Sequence, residues 1–220
     1  PSYLTSVLFP SLKKVSLQIK AGNTTWFEGS LNEILKGCPT LEQLQLTCFS
    51  NAVISLAGLR GAKCSSTLSR FELNGHLVLE NLKGLECCHH LERLRLNSCV
   101  FSLADLEPLV SLRNLSELGI ILSKNGVATP LINWCDRITP LRKLMLAGFV
   151  SGSIVLGSAC CFALESLHLS GDVSFEEGLS LGNTAGTTLQ EICCNSISND
   201  AIFFNALLPN CPRFEEISAL

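Results

Sequence analysis

One short pattern of leucine-like residues recurs along the chain at a nearly constant interval. Its clearest copy is Leu91-Glu-Arg-Leu-Arg-Leu96, in which apolar residues lie three apart and then two apart. We call the first position of the pattern the anchor of its unit. Anchors recur every 23 to 29 residues, at Leu12, Leu41, Leu68, Leu91, Leu115, Leu141, Leu164, Leu189 and Phe214. Nine such copies indicate a repeat architecture, in which every unit packs on its neighbours.

The second half of each pattern predicts a short β-strand. Apolar residues two apart, such as Leu94 and Leu96, lie on one face of a strand because side chains alternate between its faces. Since every unit supplies one strand, we expect the strands to stack in parallel about 4.8 Å apart, with the alternate apolar residues facing the core.

The segments between the strands must cover the other side of that core. Helical spacing, helix-capping residues or leucines three apart occur in several of them: Leu31/Ile34/Leu35/Cys38, residues 129–138 after Thr129-Pro130, residues 198–207 after Ser198, and Leu103/Leu106/Leu109/Leu112. Leucines three apart are typical of 3₁₀ turns. Because helices need roughly 8–10 Å between axes, more than strands do, we expect the stack to curve with its strands on the concave side.

Residues 91–101 match the pattern LxxLxLxx[N/C]xL, so the chain resembles leucine-rich-repeat proteins. The resemblance implies an α/β fold, a right-handed leucine-rich-repeat solenoid shaped like a curved horseshoe. Its parallel β-sheet would form the concave face, with helices and 3₁₀ turns on the convex face. No linker interrupts the units, so residues 1–220 are predicted to be a single domain of about nine units. Without a starting Met or a signal peptide, the chain is expected to be a segment of a longer one, with other domains at both ends.

A second recurring position lies three residues before the anchor. We call it the slot and expect it to be buried, since it holds an apolar residue or cysteine at Phe9, Cys38, Cys88, Leu112, Ile138, Cys161 and Cys211. The stretches Cys38-Pro-Thr-Leu-Glu42 and Cys211-Pro-Arg-Phe-Glu215 resemble the cysteine-containing repeats of F-box proteins. This resemblance implies a non-catalytic protein–protein interaction module, the substrate-recognition repeat region of an F-box-type ubiquitin ligase adaptor. Residues 9–17 also resemble immune receptors, so a sensor or regulatory domain of such a receptor is an alternative, and a structural subunit of a large assembly is another.

The twelve cysteines are spread through the repeats and are not clustered at the ends. Slots two units apart lie about 10 Å apart, beyond the roughly 7 Å limit for a disulfide. We therefore interpret the slot cysteines as small buried hydrophobes in a reducing compartment, the cytoplasm or the nucleus. Cys64 and Cys87 both lie four residues before an anchor in adjacent units, so a disulfide between these two remains open.

Two groups of residues invite a chemical interpretation. Cys87-Cys-His-His90 contains zinc-ligand types, but adjacent residues cannot all turn to one tetrahedral ion. His168 and Cys193 fall at equivalent outward positions of adjacent units, where a base could pair with a thiol. Since the sequence indicates neither a pocket nor a third orienting group there, we predict no enzyme, no cofactor and no metal site.

Composition restricts the classes of partner. The net charge of −3 gives no basic footprint for nucleic acid. Although 47% of the residues are apolar, the longest nearly apolar run, residues 154–164, is too short to span a membrane. We expect neither nucleic acid nor membrane as a partner.

The outward strand positions of the middle units are the predicted partner-binding surface on the concave face. They combine basic residues with Gly119, which would leave a notch walled by Ile121 and Met145, a combination suited to an interaction hot spot. The full set is Arg70, Arg93, Arg95, Glu117, Gly119, Ile121, Lys143 and Met145. The alternative is that Arg93 and Glu117 form an ordinary surface ion pair of little energetic value.

Overall fold

The chain comprises two compact units, Pro1–Leu115 and Ser116–Leu220. The computed structural model describes residues 9–19, 31, 34–122, 135, 137–138, 140–147, 150–151, 154–156, 164–170, 173–174, 179–181, 188–194, 197–198 and 216–219. The single domain over residues 1–220 stays a prediction. In the described parts no helix has the length and apolar character needed to cross a membrane.

Each unit is built on a parallel β-sheet. The first unit contains β1 (Lys14–Ile19), β2 (Gln43–Ser55), β3 (Arg70–Asn81) and β4 (Arg93–Cys99), which pair in chain order. The strands of the second unit are β5 (Glu117–Leu122), β6 (Lys143–Ala147), β7 (Val150–Ser151), β8 (Ile154–Leu156), β9 (Ser166–Ser170), β10 (Val173–Ser174), β11 (Leu179–Leu181), β12 (Glu191–Cys194), β13 (Ile197–Ser198) and β14 (Glu216–Ala219). Its main sheet has the order β5-β6-β9-β12-β14, and smaller sheets join β13-β10-β7 and β11-β8.

The nine strands β1 to β6, β9, β12 and β14 begin where the repeat pattern predicts them. Each starts two residues after its anchor, from Lys14 after Leu12 to Glu216 after Phe214. The prediction of an α/β leucine-rich-repeat fold with a parallel sheet is therefore confirmed.

The alternate apolar residues of the strands form the core, as predicted. Leu94 and Leu96 of β4 are fully buried, and half-buried and buried positions alternate along the strand from Arg93 to Asn97. The slot residues Cys38, Cys88, Leu112 and Ile138 are buried too, whereas Cys161 and Cys211 lie outside the described residues.

The first repeat departs from this rule. Its slot residue Phe9 is 48% exposed and its anchor Leu12 is 37% exposed, so the prediction of a buried Phe9 is wrong. A slot is closed by the repeats on both of its sides, and the described residues include no repeat before Phe9 that could close it.

The segments that return from one strand to the next are short in the first unit. Residues 34–37 are helical, with Leu31, Leu35 and Cys38 buried as their spacing predicts. Four 3₁₀ helices and one α-helical turn follow: η1 (Ala57–Gly61), η2 (Lys63–Ser66), η3 (Lys83–Cys87), the turn Leu103–Leu106 and η4 (Glu107–Ser111).

The leucines that recur by threes after residue 102 do not form 3₁₀ structure throughout. A capping box between Ser102 and Asp105 opens a turn of α-helix, because the Asp105 carboxylate accepts hydrogen bonds from the Ser102 backbone N–H and hydroxyl at 2.7 and 2.6 Å. Only η4, with Pro108 in its first turn, is 3₁₀ helix as predicted. The helices predicted over residues 129–138 and 198–207 lie outside the described residues, apart from a few isolated positions.

Two strands of the first unit are longer than the pattern predicts. The 13-residue β2 and the 12-residue β3 continue past Cys48 and Gly75, where their register shifts. Gly75 has a φ of 109°, and a Cβ there would lie 1.8 Å from the Cys48 carbonyl oxygen, so only glycine fits this bend. Beyond it, Val53 and Val78 pair in register and are both exposed.

Backbone hydrogen bonds fix where each strand pair starts. The carbonyl after an anchor accepts two N–H groups from the start of the next strand: the Lys13 oxygen accepts those of Glu42 and Gln43 at 2.8 and 2.9 Å. The Glu42 carbonyl does the same for Ser69 and Arg70, at 2.9 and 3.0 Å. The arrangement recurs at Ser69, Ser116, Arg142 and Glu165.

Candidate functional site

The outward residues of β1 to β4 form rows that run across the strands. Parallel pairing in one register aligns equivalent positions, so the first outward residues of the four strands lie side by side. We call this the basic row: Lys14, Gln43, Arg70 and Arg93. The second row consists of Ser16, Gln45, Glu72 and Arg95.

A cleft of about 200 Å³ lies over these two rows. Buried Leu44 and Phe71 and nearly buried Val15 contribute to its lining. Its polar lining consists of Lys14, Gln43, Gln45, Arg70, Glu72, Arg93 and Arg95. The cleft therefore has a polar, predominantly basic lining on a sheet whose other face is packed in the core.

The hydrogen bonds near the cleft do not neutralise its cations. The Glu72 carboxylate accepts a bond from the Asn74 side-chain amide at 3.1 Å, and Asn74 in turn accepts one from Asn97. Among the described residues, neither Arg70 nor Arg95 has a recorded ion pair. These contacts therefore do not neutralise the positive charges of Arg70 and Arg95.

The structure brings three predicted site residues together in this unit. Arg70 lies directly opposite Arg93 on the neighbouring strand, and Arg95 lies opposite Glu72. Arg70 is exposed, whereas Arg93 and Arg95 are half-buried. The prediction missed Lys14, although its place two residues after the first anchor marks it as outward.

The other five predicted residues lie in the second unit. Glu117 is opposite Lys143, and Gly119 is opposite Met145. Met145 and Ile121 are half-buried, and Gly119 is buried. A single surface formed by all eight predicted residues stays a prediction.

His168 and Cys193 occupy opposite positions on β9 and β12, as their repeat positions predict. Cys193 is only 7% exposed and His168 is half-buried. Over the described ranges, no group of three or more His, Cys, Asp or Glu side chains is placed to hold a metal ion. In the Cys87–His90 segment Cys88 is buried and both histidines are exposed.

The eight cysteines whose side chains are described are free thiols, and Cys64 and Cys87 do not pair. Burial raises the pKa of Cys64 to about 11 and that of both Cys88 and Cys99 to about 12. Burial also raises the pKa of Cys38. These thiols stay protonated at neutral pH, which makes them poor nucleophiles.

No family model matches the chain, and no curated protein matches it. A similar solved structure is internalin C2 from Listeria monocytogenes, with a TM-score of 0.52 and 17% sequence identity, covering 86% of this chain and 75% of that one. At this identity the likeness concerns the fold alone. Together with the nine strands that follow the anchors, it shows that the chain has a leucine-rich-repeat fold.

Proposed function

We propose that the chain is a non-catalytic protein–protein interaction module that binds its partner on the outward face of its strands. The observation that carries this proposal is the cleft over β1 to β4, lined by seven polar or charged side chains. A hydrogen-bonded sheet fixes the backbone positions that bear these side chains before the partner arrives. Binding therefore costs little ordering of the backbone.

The chemistry of the described residues supports a binding role over a catalytic one. Nucleophilic catalysis needs an activated nucleophile, a base and an orienting group within hydrogen-bond reach. Burial disfavours the thiolate form of the core cysteines, and Cys193 opposite His168 has no recorded bond to it among the described residues. The cleft itself offers guanidinium and amide groups, which are suited to recognition.

The proposed partner surface comprises the eight predicted outward residues and extends to Lys14. Arginine is enriched at interaction hot spots, and methionine adapts to irregular apolar partners. Arg95 in the first unit is such an arginine, and Met145 in the second unit is such a methionine.

Within this class we propose the substrate-recognition repeat region of an F-box-type ubiquitin ligase adaptor. Support comes from the slot cysteines, since Cys38 and Cys88 are both buried at the position where the resemblance expects them. The complete open reading frame tests this assignment. An F-box segment upstream supports it, and a nucleotide-binding domain upstream replaces it with the immune-receptor alternative.

We also propose a reducing compartment, the cytoplasm or the nucleus. Supporting this, the cysteines with described side chains are free and mostly buried, as expected where thiols are not oxidised. Fluorescent tagging of the full-length protein in its own cells tests the proposal. Secretion into the medium would overturn it.

Crosslinking capture tests the interaction proposal directly. The tagged chain is compared with Arg95→Glu and Met145→Glu, each first shown to unfold at the parent temperature. We expect both variants to lose the captured partner, because each places a carboxylate in the proposed surface. Lys63→Glu on η2 is the control, since Lys63 is exposed on the return side of the sheet. Undiminished capture by both variants would move the partner site away from the outward strand face.

A further inference from the structure

We infer that the cleft over β1 to β4 recognises a carboxylate-rich segment of a protein partner, an extended acidic peptide that crosses the strands. The inference rests on the proposed function and names the chemistry of the partner. Its grounds are the charge of the cleft, the spacing of its cations and the donors between them.

The charge of the cleft is opposite in sign to that of the chain. The whole chain has a net charge of −3, yet Lys14, Arg70 and Arg95 line the cleft with Glu72 as its one acidic lining residue. Arg93 also lines the cleft and has an interaction of its own. An anionic ligand is the complement of such a surface.

Two cations of the first unit that lie outside the cleft are paired with acids. Lys13 pairs with Glu42 at 2.7 Å, and Arg60 pairs with Glu86 at 3.3 Å, both on the turns and return segments of the first unit. In the cleft, by contrast, neither Arg70 nor Arg95 forms an ion pair with a described residue.

The spacing of the cations fits an extended peptide. Lys14 and Arg70 lie two strands apart, or about 10 Å, and Arg95 lies one strand further and two residues along its strand. The three cations therefore span about 16 Å, the length of roughly five extended residues. Acidic side chains on every second residue of such a peptide would recur about every 7 Å and could reach successive cations.

The donor groups suit carboxylates and a peptide backbone. A guanidinium group presents two parallel N–H donors that match the two oxygens of a carboxylate. Gln43 and Gln45 lie between Lys14 and the arginines, and their amides can donate to and accept from the partner backbone. Nucleic acid fits less well, because single strands bind through exposed aromatic rings as well as cations, and the aromatic lining residue Phe71 is buried.

Fluorescence anisotropy with the 220-residue chain tests the inference. The probe is a labelled peptide in which glutamate alternates with serine, and the comparison peptide alternates lysine with serine. We expect the glutamate peptide alone to bind, and its affinity to fall as salt is raised, because exposed charges are screened. Equal binding of both peptides, or of neither, would overturn the inference.

A matched set of variants locates the binding. Arg70→Gln combined with Arg95→Gln removes two charges from the cleft, and we expect the peptide to bind about tenfold more weakly. Arg113→Gln on the exposed turn before Leu115 is the control and should bind like the parent. Circular dichroism and thermal unfolding establish that all of them are folded. Equal affinities of the double variant and the control would overturn the inference.

Two further outcomes separate this inference from the proposed function. In a competition experiment, an unlabelled oligonucleotide and an unlabelled acidic peptide each displace the labelled peptide. If the oligonucleotide does so at the lower concentration, the cleft is a general polyanion site and peptide recognition is overturned. If the partner captured by crosslinking binds the double variant as tightly as the parent, acidic recognition is overturned while the interaction module stands. Loss of capture in Arg95→Glu and Met145→Glu tests the module independently of the peptide.

Discussion

In several repeats the residue immediately before the anchor forms a hydrogen bond to the repeat before it. The Thr67 hydroxyl donates to the Leu41 carbonyl at 2.8 Å, and the Thr188 hydroxyl donates to the Leu164 carbonyl at 2.9 Å. Asn114 makes the same kind of bond to the His89 carbonyl at 2.6 Å. The sequence carried this signal, since a threonine or asparagine recurs at one position of several units, but apolar periodicity does not reveal it.

Thr67→Val should lower the free energy of unfolding by about 1 kcal/mol, because it removes the hydroxyl and leaves carbonyls of the neighbouring turn without that donor. Urea unfolding measures the loss. Thr47→Val on the outward face of β2 is the control and should stay within about 0.5 kcal/mol of the parent. Similar losses in both variants would mean that the Thr67 hydroxyl bond contributes nothing specific.

Gly84→Ala should destabilise the protein by about 2–4 kcal/mol, because η3 packs its backbone directly against the return segment before η1. A Cβ at Gly84 would lie 1.7 Å from the Leu56 carbonyl oxygen, so the two segments would have to separate. Thermal unfolding measures the change. The matched control is Gly61→Ala, where a Cβ meets nothing within 4 Å and no loss is expected. A stable Gly84→Ala variant would contradict this close packing.

Alkaline pH should destabilise the fold through Cys88. Its pKa is raised by burial from 9.0 to about 12, so between these values the unfolded chain loses a proton that the folded chain retains. The stabilisation is complete below pH 9 and is lost as pH rises toward 12. Cys88→Ala should unfold more easily at neutral pH and show a shallower fall in stability above pH 9. Parallel pH curves for parent and variant would contradict the buried, neutral thiol.

At the scale of the element, the first residue of each strand could be predicted from the sequence. Two apolar residues two positions apart lie on the same face of a strand, so only that face can point to the core. Strand lengths could not be predicted. β3 continues past its pattern through Gly75, and a glycine in sequence does not reveal whether it bends a strand or ends it. The prediction of 3₁₀ structure at residues 103–106 was wrong for a similar reason. Leucines three residues apart are compatible with both helix types, and the capping box between Ser102 and Asp105 favours the α-helix.

Leu94→Asp should destabilise the fold by several kcal/mol, since Leu94 is fully buried in β4 and the carboxylate would have no partner there. Thermal unfolding followed by circular dichroism checks this. The control Thr47→Asp places the same side chain on the outward face of β2 and should cost far less. Parent-like unfolding of Leu94→Asp would mean that the inward face is assigned wrongly.

At the scale of the whole molecule, the repeat architecture followed from the sequence while the cleft did not. Arg70, Arg93 and Arg95 were predicted as one surface because their positions in the repeat are equivalent. Whether Glu72 neutralises the neighbouring cations depends on the hydrogen bond that it accepts from Asn74, which no repeat pattern specifies. The exposure of Phe9 likewise depends on what packs against it and not on its position in the pattern.

Alkylation of the unfolded chain without reductant should modify all twelve cysteines. In the folded protein we expect half-buried Cys87 to react ahead of buried Cys64 and Cys88, because reaction needs an accessible thiolate. Mass spectrometry of the digested protein measures both results. Three or more disulfides would contradict the reducing compartment, and equal rates for Cys87 and Cys88 would contradict the burial.

The carbonyl that accepts two N–H groups at a strand start connects successive repeats in the same way. Glu42 accepts from Ser69 and Arg70, and Ser69 accepts in the same way from Glu92 and Arg93. A chain spliced directly from Ser69 to Arg93 would keep the Glu42 acceptor, the anchor and an intact strand, and β4 would replace β3 beside β2. Such a chain loses one complete repeat and keeps the hydrogen bonds at the strand start, but it also loses the β3 residues that pair with the end of β2. Duplication or deletion of a whole repeat therefore preserves the hydrogen bonds at the strand start, whereas a shift of one residue between anchor and strand does not.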